Sequence, residues 1–381
     1  MKRQISSFGI CPAGIKIQKI YRISRIRKFK MTRKAGAGKP KQESRGRESR
    51  GGKDLSVMEF KHYPVMLKEA ASAAVKASKS GQSGLVFIDG TLGGGGYSLE
   101  MLKRLPPDSR LIAFDIDKEA IAAASEKLKN FNNAAIVHDS YTNIKKYLAD
   151  NGIKSITGGI VFDFGASMPQ LTSDTRGFSF MKNSKLDMRF NQESDFSAYD
   201  VINSYKEQDL ARIFSEYGEE RFSKRIAKKI AETRRTKKIE TTQELVNIIL
   251  SAAPRIKSKI HPASRVFQAV RIEVNNELNN IQTVLNDVIP LLAEGAVIAA
   301  VSFHSLEDRI VKNTFKKYLK RSKYSSDTID EDMPVLELLY KKPLAPSEAE
   351  IKENPPSRSA KLRAAECIKS KSSDNIKENI N

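Results

Sequence analysis

The sequence predicts an α/β fold, a doubly wound and mainly parallel sheet with helices on both faces, interrupted by an inserted all-helical domain. Three observations carry this. Short apolar runs alternate with helical stretches from Met58 onward, the pattern of β-α-β units. The stretch "FIDGTLGGGGYSLEML", Phe87 to Leu102, sets five glycines between a strand pattern and a helix pattern. Residues 182–289 hold almost no strand signal but many charged helical runs.

In chain order, "GLVFID" reads as a first strand and "SRLIAFDID" as a second, with a helix from about Tyr97 to Arg104 between them. "KEAIAAASEKLKN" has helical spacing, "AAIVHD" is a third strand and "GGIVFDFG" a fourth. After the strandless interval, "GAVIAAVSF" supplies a fifth strand and "SLEDRIVKNTFKKYL" a helix, with Ser305 and Asp308 at capping-box spacing. "VLELLYK" and "KLRAAECI" close the sheet as a final pair. Within the interval, "YKEQDLARIFSEYG", "EERFSKRIAKKIAETRR" and "TTQELVNIILSAAP" repeat apolar residues three or four apart, and Thr241 with Glu244 again has capping-box spacing. The interval exceeds any ordinary crossover. The expected organisation is a basic, disordered extension over 1–57, a first part of the α/β domain over 58–181, the inserted helical domain and return helix over 182–289, a second α/β part over 290–369, and a disordered tail over 370–381.

Composition narrows the function classes. With 40% hydrophobic and 29% charged residues, the chain has no apolar run near the roughly 20 residues needed to span a bilayer. Its two cysteines, Cys11 and Cys367, lie at opposite ends, and only four histidines are present, which argues against a zinc cluster or a disulfide framework and fits a reducing compartment. The net charge of +21 is concentrated at one end: residues 1–57 hold 17 Lys and Arg against Glu43, Glu48 and Asp54. The remainder is only mildly basic, compatible with RNA. Three readings of the extension stay open: an organellar targeting segment, which would put the protein in an organellar matrix instead of the cytoplasm; an RNA tether; or sequence upstream of a start at Met31 or Met58.

A glycine cluster after a strand suggests a ligand against bare backbone. A phosphate loop needs GxxxxGK[ST] and a dinucleotide fingerprint needs GxGxxG; neither is complete, since no Lys follows and Ser98 and Leu99 stand where the third glycine belongs. "DFG" at Asp163–Gly165 lacks the other parts of a kinase. A nucleoside cofactor without a phosphate chain remains. Asp115 ends the second strand, twenty residues after Gly95, where an acid accepts hydrogen bonds from both ribose hydroxyls. Alone it reads equally as a helix-capping acid. With the glycines it suits S-adenosylmethionine, whose sulfonium and ammonium groups also favour a carboxylate.

The blocks "HYPVMLKEA", "DGTLGGGGYS", "PQLTSDTRGFSF", "LDMRF", "YGEERFSKRIAKKI", "HPASRVFQAVRIEVNNEL", "VSFHSLEDRIVK" and "NPPSRSAKLRAAE" resemble, in consistent order from about Phe60 to Cys367, the bacterial 16S ribosomal RNA cytosine-N4 methyltransferase family, the small-subunit methyltransferase H group. The resemblance implies a class I S-adenosylmethionine-dependent methyltransferase fold with an inserted helical domain. It implies methylation of the N4 amine of one cytidine in the decoding region of small-subunit ribosomal RNA, within an assembled or nearly assembled subunit. Carried over, the cofactor contacts would be Gly95, Gly96, Tyr97, Asp115, Tyr141, Asp163 and Gln170. Two positions depart from the family: Tyr97 stands for its usual His, which puts the side-chain role there in doubt, and "GASMPQL" replaces "GVSSPQL", with Met168 altering the pocket wall.

The N4 amine is a weak nucleophile because its lone pair is delocalised into the ring. Holding it with acceptors and aligning it with the methyl donor contributes several kcal/mol to rate, and its proton can leave after transfer. Many amino-methyltransferases place an Asp/Asn-Pro-Pro-aromatic turn after the fourth strand; "DFGASMPQ" here lacks the prolines. Asp163 is the expected bridge between cofactor and amine, with His304 and Ser302, at the fifth strand's tip, as further catalytic candidates facing the same crevice. RNA-binding candidates are Arg225, Lys228 and Lys229 on the basic helix and Arg358, Lys361 and Arg363 in "SRSAKLR"; the alternatives are a solvated helix face and a structural loop. Two other classes compete: a methyltransferase for an amine in protein or DNA, and a non-catalytic assembly factor.

Overall fold

A computed structural model describes residues 64–77, 82–253, 261–319 and 334–369. The expected disordered segments at 1–57 and 370–381 lie outside the described residues, as do His62 and Tyr63 of the first motif block.

The chain opens with α1 (Leu67–Ala74), then β1 (Val86–Asp89), α2 (Gly96–Leu102), β2 (Arg110–Asp115), α3 (Lys118–Leu128), β3 (Ala134–His138), α4 (Ile144–Asp150) and β4 (Gly159–Asp163). The helical stretch follows: α5 (Met168–Thr172), α6 (Ala198–Ser204), α7 (Glu207–Glu216), α8 (Ser223–Thr236), α9 (Thr242–Ala252), α10 (Pro262–Asn275) and α11 (Glu277–Val288). The second α/β part comprises β5 (Val297–Ser302), α12 (Ser305–Tyr318), β6 (Val335–Leu338), α13 (Glu348–Glu353) and β7 (Lys361–Lys369). The sheet order is β3-β2-β1-β4-β5-β7-β6. Every pairing from β3 through β5 is parallel, and β7 joins β5 and β6 antiparallel. The order reverses between β1 and β4, so a crevice opens above their carboxyl ends, where ligands of such sheets sit.

Period-two side-chain alternation divides the strands between two cores. Phe87, Leu111, Val161, Ala299 and Leu362 pack with α1, α2 and α3 on one face. Ile88, Ile112, Ile160, Phe162 and Ile298 pack with α4, α11 and α12 on the other. β5 is buried at every position, which explains its unbroken apolar run. A third core, with Ile202, Leu210, Phe214, Ile226, Ile249 and Val266, belongs to helices α6 to α10. That core is what makes the stretch between α5 and α11 a packed body of its own. Among the described residues no helix is long and apolar enough to cross a membrane.

One cap differs from the sequence expectation. Thr241 and Glu244 do form a capping box on α9. On α12, however, the box is His304 with Glu307, one position earlier than Ser305 with Asp308. The physical reason lies with Asp308, whose carboxylate is taken by Arg363 (2.7 Å) and Lys361 (3.1 Å) of β7.

Candidate active site

Three of the parallel strands end in aspartate: Asp89 on β1, Asp115 on β2 and Asp163 on β4. Their tips and the turns after them form one wall of a cleft of about 340 Å³, with Gly90, Gly93, Asp115, Tyr141, Asp163, Gln170 and Phe303 in its lining. The helical body and the start of α11 supply the opposite wall through Arg189, Phe190, Asn191, Ser194, Asn275, Glu277 and Asn280.

Asp115 is held by the backbone: Oδ2 accepts from Gly93 N (2.7 Å) and Oδ1 from Asp117 N (2.8 Å). Gly93 adopts a positive φ of 49°, a conformation glycine enters without a Cβ penalty. Burial raises the Asp115 carboxyl, and the two N–H groups counter it. Asp163 is treated differently. Its N–H donates to Thr91 Oγ1 (2.6 Å), yet its Oδ1 is buried with no hydrogen-bond partner among the described residues. Burial, then the carboxylates of Asp89 and Glu307, push its pKa well above the usual range. Asp89, fully buried beneath the cleft, accepts from Ser98 Oγ (2.6 Å) and Thr91 N (3.1 Å), and burial pushes it up to about 6.

Gln170 closes the next turn. Its Oε1 accepts from Ser167 N (3.0 Å) and its Nε2 donates to Asp117 Oδ2 (3.0 Å). Asp117 also caps α3 and takes Arg176 Nη1 at 3.1 Å, while Arg176 Nη2 reaches the carbonyls of Arg189 and Phe190. This clasp joins the β2 turn to the opposite wall. Tyr141 stands edge-on to Phe162 and Phe164, and burial raises its phenol.

The other expected residues are not part of this lining. Gly95, Gly96 and Tyr97 do not line the cleft. A Cβ on Gly95 would lie 3.1 Å from the Ala124 Cβ, and one on Gly96 would meet Pro64 Cγ at 2.2 Å, so these glycines let α2 pack closely against α3 and the chain before α1. The Tyr97 hydroxyl donates to the Val65 carbonyl. Ser302 and His304, expected to face the crevice, are also absent from its lining. Ser302 is buried with Oγ donating to the Lys361 carbonyl (3.4 Å), because β7 pairs alongside β5. His304 turns back to cap α12, its Nδ1 accepting from Glu307 N (3.4 Å). That bond puts the ring proton on Nε2, which lies 3.2 Å from Glu307 Oε1.

Sequence reasoning misses this buried charge group. Glu307 Oε2 accepts from Phe303 N (2.7 Å) and His304 N (3.3 Å). Burial works against its charge, but His304 and Arg271 hold it below the usual range. Glu277 is raised by burial despite a two-pronged bond from Arg271, at 2.9 and 3.0 Å. The donor atoms of Glu277, His304 and Glu307 lie within 4.8 Å of one another; Arg271 pairs with Glu277 and two backbone N–H groups bond Glu307, while His304 Nε2 and Glu307 Oε1 face each other at 3.2 Å without a hydrogen bond among the described residues. Asp89 is likewise outside the sequence expectation; its signal is the repetition of strands that end in Asp.

Of the basic residues, Arg225, Lys228 and Lys229 are exposed on α8 and Arg358 is exposed just before β7. Lys361 and Arg363 both grip Asp308.

The sequence profile of the MraW methylase family matches residues 59–368. The ribosomal RNA small subunit methyltransferase H of Sulfurihydrogenibium sp. YO3AOP1 is 48% identical over 310 residues, covering 81% of this chain and 99% of that one. The enzymes of the same name from Caldicellulosiruptor bescii and Clostridium botulinum Loch Maree are 45% and 44% identical, covering 81% and 82% of this chain and all of theirs.

Proposed function

The chain belongs to the MraW methylase family, and from that premise we propose that it transfers a methyl group to the N4 amine of one cytidine in the decoding region of small-subunit ribosomal RNA. It is a methyltransferase with the class I sheet, and its cofactor is S-adenosylmethionine. The observation that carries the reading is the cleft above β1, β2 and β4, where a buried carboxylate oxygen of Asp163 has no partner among the described residues.

The residues present fit the cofactor. Asp115 keeps lone pairs free after two backbone bonds and would accept from the ribose hydroxyls; Tyr141 and Ile116 would flank the nucleoside, and Asp163 suits its positive end. When bound, the cofactor supplies an electrophilic methyl group. The rest falls to the chain. In our reading, Asp163 accepts a hydrogen bond from the cytosine amine, holding its lone pair toward the methyl donor, and then takes the amine proton at its free oxygen. Phe303, half-buried at the cleft, offers an apolar edge to the base and keeps water out. The proton moves only after methylation has made the nitrogen acidic, so no stronger base is required.

RNA contact falls to the exposed cations Arg225, Lys228, Lys229 and Arg358. Lys361 and Arg363 serve the fold by holding Asp308. Mass-spectrometric nucleoside analysis of small-subunit ribosomal RNA from cells with and without the protein tests the proposal. Loss of N4-methylated cytidine on deletion is expected; an unchanged nucleoside profile refutes it.

A further inference from the structure

The strand-tip aspartates are unequally served by the fold. Asp89 accepts from a hydroxyl and a backbone N–H, and Asp115 from two backbone N–H groups. Asp163 Oδ1 has no donor among the described residues. The charged groups around it offer no compensation. Asp89 of β1 and Glu307 of α12 both act on it by like-charge repulsion, and Tyr97 of α2, whose phenol burial keeps neutral, offers it no positive charge. Glu277 lies behind Glu307 and is tied to Arg271. His304 serves Glu307. Arg189, the guanidinium in the cleft lining, is committed to Asp187 at 2.7 and 2.9 Å. A half-buried carboxylate whose Oδ1 is sealed from solvent without a donor, and which feels two like charges, is pushed toward its protonated form.

We propose that Asp163 takes up its charge only when a cationic ligand enters the cleft, so that cofactor binding and release of a proton are coupled, with Asp89 and Glu307 as the positioning residues that set the coupling. This rests on the reading that the cleft holds S-adenosylmethionine. The Asp163 O–H bond breaks, its electrons stay on the oxygen and the proton passes to solvent; a positive charge in the cleft replaces it. Linkage makes the effect reciprocal: the ligand binds more tightly where the proton is more easily lost. The acceptor for the target amine then exists only in the loaded protein, which orders the cofactor before the base.

Calorimetric titration of the full chain at about pH 6, the value to which the neighbouring Asp89 is pushed, tests this in two buffers of different ionisation enthalpy. S-adenosylmethionine should release up to about one proton per site. S-adenosylhomocysteine, which lacks the sulfonium charge, should bind with clearly less release. In Asp163→Asn the extra release should vanish while S-adenosylhomocysteine still binds. In Asp89→Asn it should shrink, because removal of the neighbouring charge lets Asp163 ionise beforehand. Binding heats independent of buffer overturn the inference, as does equal release by both ligands or full release by Asp163→Asn. If neither ligand binds by calorimetry or equilibrium dialysis, the cofactor reading fails and the inference falls with it.

Discussion

Asp115 is the residue at which the site can be tested most directly. Asp115→Ala removes an acceptor at a strand tip that two backbone N–H groups already hold in place. Losing hydrogen bonds to a charged acceptor costs about 1.5–3 kcal/mol, so affinity for S-adenosylmethionine should fall roughly ten- to over a hundredfold. Calorimetry checks this, with circular dichroism confirming the fold; unchanged affinity removes Asp115 from the cofactor contacts. At this scale the sequence was partly legible. Asp115 and Asp163 stood out because an acid ending a strand has an obvious geometry. Ser302 and His304 stood out because they lie at the fifth strand's tip, yet Ser302 turns to β7, a partner distant in sequence, and His304 turns back to cap its own helix. Glu307 and Arg271 looked like ordinary helix charges; only the packing of α10, α11 and α12 buries them together.

Among elements, α12 offers a discriminating pair of substitutions. If His304 and Glu307 form the cap, His304→Ala should cost about 1 kcal/mol of stability. Ser305→Ala should cost within about 0.5 kcal/mol, since the Ser305 hydroxyl makes only an exposed contact with Glu219. Urea unfolding separates the two, and a larger loss for Ser305→Ala reinstates the box read from sequence. The basic face of α8 has its own test. Arg225, Lys228 and Lys229 replaced together by Gln should raise the apparent KM for small subunits and flatten its salt dependence, because fewer phosphate contacts release fewer counterions. Cofactor affinity should stay the same. Normal methylation at every salt concentration makes α8 a solvated face. The strands were readable as short apolar runs, and helices α7, α8 and α9 because each is strongly periodic. The short helix α5 was not, because its few residues are fixed by a Ser167–Gln170 box within a glycine-containing turn.

Across the whole molecule, buried carboxylates of opposite tendency shape stability against pH. Asp89 binds its proton more tightly folded than unfolded, its value rising from 3.8 to about 6. Its stabilising contribution is therefore complete below about pH 4 and is lost as pH rises through about 6, on the order of 3 kcal/mol in all. Glu307 and Asp308 are lowered, so theirs is present above the ordinary carboxylate range and lost as pH falls through their folded values. Asp89→Asn should flatten the decline between about pH 4 and 6, read by denaturant unfolding; an unchanged slope assigns the effect elsewhere. The same scale raises the question of residues 1–57. The cleft lining begins at Gly90, and the family match begins at residue 59. The relatives are covered at 99–100% of their length by 81–82% of this chain. A chain beginning at Met58 should therefore fold, bind S-adenosylmethionine with unchanged affinity and methylate isolated small subunits. The extension carries most of the excess positive charge, so a tether would reveal itself in RNA affinity, which should then fall most at low salt, where electrostatic attraction is strongest. Equal KM for the full and shortened chains across salt concentrations excludes the tether. Lost cofactor binding in the shortened chain would mean that the extension belongs to the folded body after all.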